Sequence, residues 1–335
     1  MSAVAQPAPW IVRQTRTLLS RRGHAWLLEG PSGLGQYELG LALVAAWLCD
    51  APDSDGACGQ CASCHGMAVR THADLAVLMP ETLQIAHGWP LSPKAQSEID
   101  EKKRKPSKEI RVEALRDAVE FAQRTDARGR GKAVLVYPAE RMNVQAANTL
   151  LKTLEEPAGT VRFVLVTEGA HQLLPTLRSR CQSHALVWPE PQEALQWLQS
   201  QGIAAGEAPD LLRASGGRPS DALAQSQQGL TPRWWSQLPQ AMQQGQAEHL
   251  AEHTPAQAIA ALQQLCHDLV LRHCGAPPRY FDAAQLPACN ASLVTLTGWF
   301  RRLVDSARTA EHPFHAPLML EALASDAQLT LSARS

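Results

Sequence analysis

The chain has 335 residues, with 31 Lys and Arg against 32 Asp and Glu, so its formal net charge at pH 7 is −1. This balance excludes a field strong enough to draw the whole molecule onto nucleic acid or an anionic membrane. No apolar run approaches the ~20 residues that a membrane span needs, and residues 1–9 lack the basic and then apolar pattern of a secretory signal. We therefore expect a cytoplasmic protein without membrane contact, long enough for about two or three domains.

A glycine-rich segment, Gly30-Pro31-Ser32-Gly33-Leu34-Gly35-Gln36-Tyr37, lies between a short apolar strand and an apolar helix predicted over Gln36–Leu48. A phosphate-binding loop of the form G-x-x-x-x-G-K-[ST] needs this context, although glycine turns with such spacing also arise by chance. Here Gln36 stands at the lysine position and Tyr37 at the hydroxyl position. An amide cannot offset the triphosphate charge, and a phenol is too large to replace a serine on Mg²⁺. We predict a degenerate phosphate loop of Gly30, Gly33, Gly35, Gln36 and Tyr37 that keeps its shape and binds no ATP.

Four of the eight cysteines lie close together in the spacing Cys49-x8-Cys58-x2-Cys61-x2-Cys64. Cys-x2-Cys steps let neighbouring thiolates reach one tetrahedral ion at about 2.3 Å, and without a secretion signal such a cluster favours metal over disulfides. We predict a closed, structural Zn²⁺ site with these four ligands. A redox pair at Cys61 and Cys64, an iron–sulfur cluster, and His65 in place of one cysteine remain alternatives.

The first half of the chain alternates strand-like and helix-like segments, as in a parallel α/β sheet. Segment 87–108 breaks this pattern because it holds three prolines and the charge run 100–105. We predict a mobile, solvated surface loop there, with DNA contact by residues 102–105 as the alternative. The predicted strands are Ala25–Glu29, 73–79, 132–137, Val161–Thr167 and 183–188, and the predicted helices between them are 112–125 and 144–156.

The strand predicted over 132–137 ends without the acids that an ATPase of this layout needs. Such enzymes carry an Asp for Mg²⁺ at this point, and many add a Glu that activates water; here Tyr137 and Pro138 occupy these positions. Glu140 is the alternative as a displaced catalyst. The defect agrees with the loss of lysine and hydroxyl in the glycine loop.

After residue 188 the strand signals stop and the composition turns to Ala, Gln and Leu. Gly216-Gly217 predicts a helix end and Arg218-Pro219-Ser220 the next helix start. We predict domain boundaries at 1–188, 189–229 and 230–335. The helices predicted for the second domain are 193–200, Ala208–Ala214 and 220–227, and those for the third are 255–274, 291–309 and 317–324.

Two further segments carry a resemblance to a known family: residues 148–157, Asn-Thr-Leu-Leu-Lys-Thr-Leu-Glu-Glu-Pro, and Ser179-Arg180-Cys181. With Glu29-Gly30-Pro31 and the four cysteines, they resemble the delta-prime subunits of the bacterial DNA polymerase III clamp loader, in the AAA+ superfamily. The resemblance covers residues 25 to about 223, and the remainder fits only by length and helical character. It implies a P-loop NTPase-like AAA+ domain with an inserted zinc module, a small three-helix lid and an all-α C-terminal collar.

The resemblance also implies roles for single residues. Arg180 would be an arginine finger, presented to ATP bound on the neighbouring subunit; a guanidinium at that point can raise hydrolysis by about 10³–10⁵-fold in related systems. Arg178 is a second candidate for this role, and the alternative for Arg180 is an arginine neutralised by Glu155 or Glu156. Thr167 would stand at the sensor 1 position, and Ser220 where active relatives place the sensor 2 arginine.

The function implied by this family is a subunit without intrinsic ATPase activity, inside a DNA-directed DNA polymerase holoenzyme. Its partners would be gamma or tau, delta, the beta sliding clamp and primer–template DNA, and its collar would hold the hetero-oligomer together. Two alternatives remain: an active AAA+ ATPase with an atypical loop, and a zinc-dependent nucleic-acid-binding module. The near-neutral charge and the lack of aromatic residues interleaved with basic ones oppose the second.

Overall fold

A computed structural model of the chain describes residues 7–310 and 315–333. The chain forms two compact units, Met1–Glu190 and Pro191–Ser335. The prediction for the first nine residues falls mostly outside the described residues. Within the described ranges, no helix is both long and apolar enough to cross a membrane.

A five-stranded, all-parallel sheet in the order β2-β3-β4-β1-β5 forms the centre of the N-terminal unit. β3 is buried along its whole length, as expected of an apolar strand covered on both faces. The α/β class and all five predicted strands are confirmed, although three strands are shorter than predicted. The strands are β1 (Ala25–Glu29), β2 (Leu75–Leu78), β3 (Lys132–Val136), β4 (Val161–Thr167) and β5 (Gln182–Ala185).

The described part of this unit contains eight α-helices. α2 has its predicted bounds and packs so closely that a Cβ atom on Gly40 would lie 2.9 Å from Leu135 Cδ1. α7 begins after Asn143, whose side chain caps Ala146 N–H, and ends shortly before Pro157. The helices are α1 (Pro9–Leu19), α2 (Gln36–Leu48), α3 (Ala62–Ala68), α4 (Glu81–Ala86), α5 (Pro93–Asp100), α6 (Val112–Gln123), α7 (Val144–Glu155) and α8 (Pro175–Arg178).

The prediction of a mobile loop over 87–108 is wrong, because this segment contains α5 and is anchored by charge pairs. Ser92 caps α5 and Pro93 occupies its first turn, a helix start that the three prolines obscured. Arg104, from the charge run, donates to the carboxylates of Glu81 and Glu98 at 2.5 and 2.7 Å. The contact with Glu81 holds Arg104 against α4.

The described residues of the C-terminal unit form helices and connecting loops without a strand, as predicted. A small apolar cluster lies among its first three helices and a larger one among its last four. The helix stop at Gly216-Gly217 is confirmed, α12 was not predicted, and α15 is twice as long as predicted; the finer division at residue 229 stays a prediction. The helices are α9 (Pro191–Ser200), α10 (Ala208–Ala214), α11 (Pro219–Gln227), α12 (Pro232–Gln243), α13 (Pro255–His273), α14 (Leu293–Thr309) and α15 (Ala316–Ser332).

A fully buried carboxylate organises the connection between α13 and α14. Asp268 accepts hydrogen bonds from the backbone N–H groups of Arg279, Tyr280 and Phe281 at 3.0, 2.7 and 2.9 Å. Since the ring of Phe281 stacks on Trp235 at 4.5 Å, the same turn is also fixed to α12. The carboxylate thus substitutes for the backbone acceptors that a loop lacks.

Candidate functional site

The glycine loop between β1 and α2 turns through two glycines with positive φ. Gly33 and Gly35 have φ values of 77° and 90°, in the left-handed region that favours glycine. A Cβ atom on Gly35 would lie 2.8 Å from Ile11 Cδ1, so a larger residue would also have to displace this side chain of α1. Trp10 Nε1 donates to Leu34 O at 2.8 Å and fixes the loop from the same helix. The chain therefore enters α2 through two glycines in the left-handed conformation.

The side chain at the lysine position is turned into the protein. Gln36 is 4% exposed, and its Nε2 donates to Glu168 Oε1 at 3.3 Å. Glu168 follows β4, the strand next to β1 in the sheet. A neutral amide bound to a carboxylate offers no positive charge to a triphosphate.

The side chain at the hydroxyl position belongs to an aromatic cluster of Tyr37, His87, Trp89 and Tyr137. Trp89 Nε1 donates to the Tyr37 hydroxyl at 2.7 Å, and the ring of Tyr37 stacks on Tyr137 with centroids 5.0 Å apart. His87 lies against Tyr37 at 4.5 Å. The two positions that hold Mg²⁺ in an active enzyme are thus occupied by stacked phenols. Sequence reasoning missed Trp89 because nothing in its proline-rich surroundings signals a contact with residue 37.

Burial keeps this aromatic cluster uncharged. It raises the pKa of Tyr37 and of Tyr137, so neither phenol becomes an anionic metal ligand near neutral pH. It also lowers the pKa of His87, which therefore stays neutral and gives a phosphate no positive partner. The cluster has the chemistry of a packed core.

Glu140 and Thr167 lie together at the end of β4. Thr167 is fully buried, and its hydroxyl donates to Glu140 Oε2 at 2.6 Å. The backbone N–H of Glu168 donates to Glu140 Oε1 at 3.2 Å, so both oxygens of this carboxylate accept hydrogen bonds. The Glu140 carboxylate is thus hydrogen-bonded to the end of β4 and is not a free acid beside the glycine loop.

The four cysteine sulfurs form a compact cluster with the dimensions of a metal site. Cys49 Sγ lies 3.5, 3.7 and 3.7 Å from the sulfurs of Cys58, Cys61 and Cys64, and Cys58 Sγ lies 3.9 Å from Cys64 Sγ. A tetrahedron with metal–sulfur bonds of about 2.3 Å has edges of about 3.8 Å, whereas a disulfide needs about 2.05 Å. The cluster fits one tetrahedral ion, and exposed His65 is not part of it.

Backbone N–H groups support the sulfurs of this cluster. Cys58 N–H donates to Cys49 Sγ at 3.3 Å, and Cys64 N–H to Cys61 Sγ at 3.4 Å. Burial raises the pKa of Cys61, but hydrogen bonds, above all from Cys64 N–H, outweigh it and bring the pKa to about 6. Part of the site is thus suited to the thiolate that a metal binds.

Arg180 lies at the surface on a rigid base. Two neighbours of Arg180 in the chain pack into the core of the N-terminal unit. They are Leu177, three residues earlier, and Cys181, the next residue. The Arg180 side chain is 29% exposed; its Nε donates to Glu155 Oε1 at 2.6 Å, its Nη2 pairs with the same oxygen, and its Nη1 donates to Thr176 O at 2.8 Å. The pairing with Glu155, given as the alternative to a finger, is therefore present. Arg178 is exposed and makes no side-chain hydrogen bond or ion pair within the described residues.

The parallel sheet, the glycine loop and the helical second unit define an AAA+-like protein. Its fold is similar to the crystal structure of a DNA polymerase III gamma subunit-related protein from Thermotoga maritima, with a TM-score of 0.51, 17% identity and coverage of 95% of this chain and 98% of that one. The family described as DNA polymerase III, delta subunit, matches residues 10–188, more than half of the chain.

Curated relatives define the family further. DNA polymerase III subunit delta' of Pseudomonas aeruginosa is 38% identical over 213 residues, which are 63% of this chain and 58% of the relative. The subunit of the same name from Escherichia coli is 33% identical over 222 residues, 64% of this chain and 60% of the relative. The chain belongs to the delta-prime family of DNA polymerase III subunits, as the motifs predicted. The matches span less than two thirds of either relative.

Proposed function

We propose that this chain is a clamp-loader subunit that hydrolyses no ATP itself and donates Arg180 to ATP bound on a neighbouring gamma or tau subunit. The assembly, with delta, opens the beta sliding clamp and loads it onto primer–template DNA, within the DNA polymerase III holoenzyme. The names of the curated relatives support the general role. The residue-level roles rest on the geometry of the two sites.

The observation that carries the proposal is the occupation of the nucleotide loop by its own side chains. Gln36 binds Glu168, and Tyr37 binds Trp89 and stacks on Tyr137. A bound triphosphate requires cations that offset its charge, from a lysine and from Mg²⁺. In this loop both places hold neutral, hydrogen-bonded groups. Backbone N–H groups at the start of α2 remain compatible with a small anion such as phosphate or sulfate.

Two further assignments complete the proposal. The four cysteines hold a structural Zn²⁺, because a closed set of four thiolates leaves no coordination position for chemistry. Residues 1–188 form the AAA+ domain with this zinc module, 189–229 the lid, and 230–335 the collar through which the subunits assemble.

The purified chain alone tests whether the loop is silent. We expect no binding of MgATP in calorimetric titration, with a dissociation constant weaker than about 1 mM, and no Mg²⁺-dependent turnover. A Gln36→Lys variant is expected to remain silent as well, because Tyr37 and Tyr137 still fill the metal positions. Micromolar binding, or turnover that disappears in a Gly35→Val variant, would favour the alternative of an active ATPase with an atypical loop.

A further inference from the structure

We infer that Glu155 is the positioning residue of the arginine finger: its carboxylate fixes the Arg180 guanidinium in one orientation, with one edge left for a phosphate of the neighbouring subunit. The inference rests on the proposed function of Arg180. Glu155 is the last residue of α7, and Arg180 follows α8, so the pair joins two elements 25 residues apart. Nothing in the family resemblance gave Glu155 a role of this kind.

The hydrogen bonds of Arg180 define the orientation. A guanidinium has five N–H donors in one plane. Nε and Nη2 both donate to Glu155 Oε1, and Nη1 donates to Thr176 O. These three contacts come from two sides and fix the plane, while one N–H on each terminal nitrogen is left over. Two such N–H groups match the bidentate geometry in which arginine binds phosphate.

The backbone below the guanidinium is also fixed. Leu177 is 1% exposed, and Cys181 packs against the same core. Without the carboxylate, the arginine side chain would rotate about several bonds, although its backbone is fixed. An arginine that samples many rotamers reaches the productive geometry in only a fraction of them. The carboxylate therefore acts on the finger through orientation.

Local stability does not explain the position of this acid. A carboxylate at the C-terminal end of a helix faces the negative end of the helix dipole, which is unfavourable. The side chains of Glu155 and Arg180 are 47% and 29% exposed, and ion pairs so open to solvent contribute little to folding. The adjacent Glu156, also exposed, makes no side-chain hydrogen bond or ion pair within the described residues. Glu156 is thus a matched control for the charge at this helix end.

The test uses the fully reconstituted clamp loader with four versions of this chain: Glu155→Gln, Glu156→Gln, Arg180→Ala, and Glu155→Gln combined with Arg180→Ala. DNA-stimulated ATP hydrolysis gives kcat and KM for each. We expect Glu155→Gln to lower kcat about three- to tenfold, since misplacement of a catalytic group costs rate, with KM unchanged. Glu156→Gln should match the unmodified chain. The double variant should be no slower than Arg180→Ala alone, because a positioning residue has no effect once its arginine is absent.

The four variants distinguish a wrong role for Glu155 from a wrong role for Arg180. If Arg180→Ala lowers kcat but Glu155→Gln leaves it unchanged or raises it, the positioning role is overturned while the finger stands. An additive double variant overturns it as well, since Glu155 would then act independently of Arg180. If Arg180→Ala has no effect, the proposed function itself fails. Equal melting temperatures and equal assembly of all four versions exclude a folding defect as the cause.

Discussion

Replacing Arg180 with alanine is expected to lower DNA-stimulated ATP hydrolysis and clamp loading by the reconstituted assembly roughly tenfold or more, given the size of finger effects in related systems. The guanidinium stabilises charge that develops on the transferred phosphoryl group, so the loss should fall on kcat rather than on KM. Assembly should persist, because Arg180 is partly exposed and forms no part of the apolar core. Steady-state ATPase assays with primed DNA and a clamp-loading assay measure both effects.

Arg178→Ala is the matched control for this prediction. Arg178 lies two residues earlier on α8 and is exposed without a side-chain partner in the described part of the chain. We expect its removal to leave loading near the unmodified level. Unchanged loading by Arg180→Ala would contradict the assignment, and a loss confined to Arg178→Ala would transfer the finger to that residue.

Removal of the metal is the second change with a large expected effect. The purified chain should contain about one Zn²⁺, and chelation should lower the free energy of unfolding of the N-terminal unit by about 3–4 kcal/mol, the stabilisation lost when a tightly bound ligand is withdrawn. The cysteine module follows α2 directly in the chain. Its first ligand, Cys49, is the residue after this helix and is fully buried. Metal release with a colorimetric chelator, together with thermal unfolding, measures the effect.

Cys58→Ser should reproduce the effect of chelation, and Cys274→Ser should not. Cys274 is exposed and lies outside the cluster of four sulfurs. A chain that is purified without metal and melts at the same temperature as the metal-loaded protein would contradict a structural site. Visible absorbance from an iron–sulfur cluster would show that the four thiolates hold a different metal centre.

The sequence predicts the sheet well because each strand carries its own signal. β1 and β4 have their predicted bounds, since strands buried on both faces consist almost entirely of apolar residues. The cysteine cluster was equally accessible, because the ligands of a small metal module are close together in the chain. Local patterns were sufficient for both features.

Features that depend on distant contacts could not be predicted. Trp89 reaches Tyr37 across 52 positions, and Glu168 reaches Gln36 across 132, with no periodicity that links them. The helix α12 was missed because Pro239 lies inside it, and an internal proline ordinarily interrupts a helix. The pair of Glu155 and Arg180 was foreseen only as an alternative to the finger. The hydrogen bond from Arg180 to Thr176 O, which helps to fix the plane of the guanidinium, could be seen only in the structure.

We propose that this chain acts on an ATP that belongs to another subunit. Photolabelling of the reconstituted clamp loader with an azido derivative of ATP tests it directly, because the reactive group on the base marks the chain that owns the nucleotide. We expect label on gamma or tau and none on this chain, in assemblies that contain either the unmodified chain or its Arg180→Ala variant. Label on a peptide that contains residues 30–37 of this chain would contradict it.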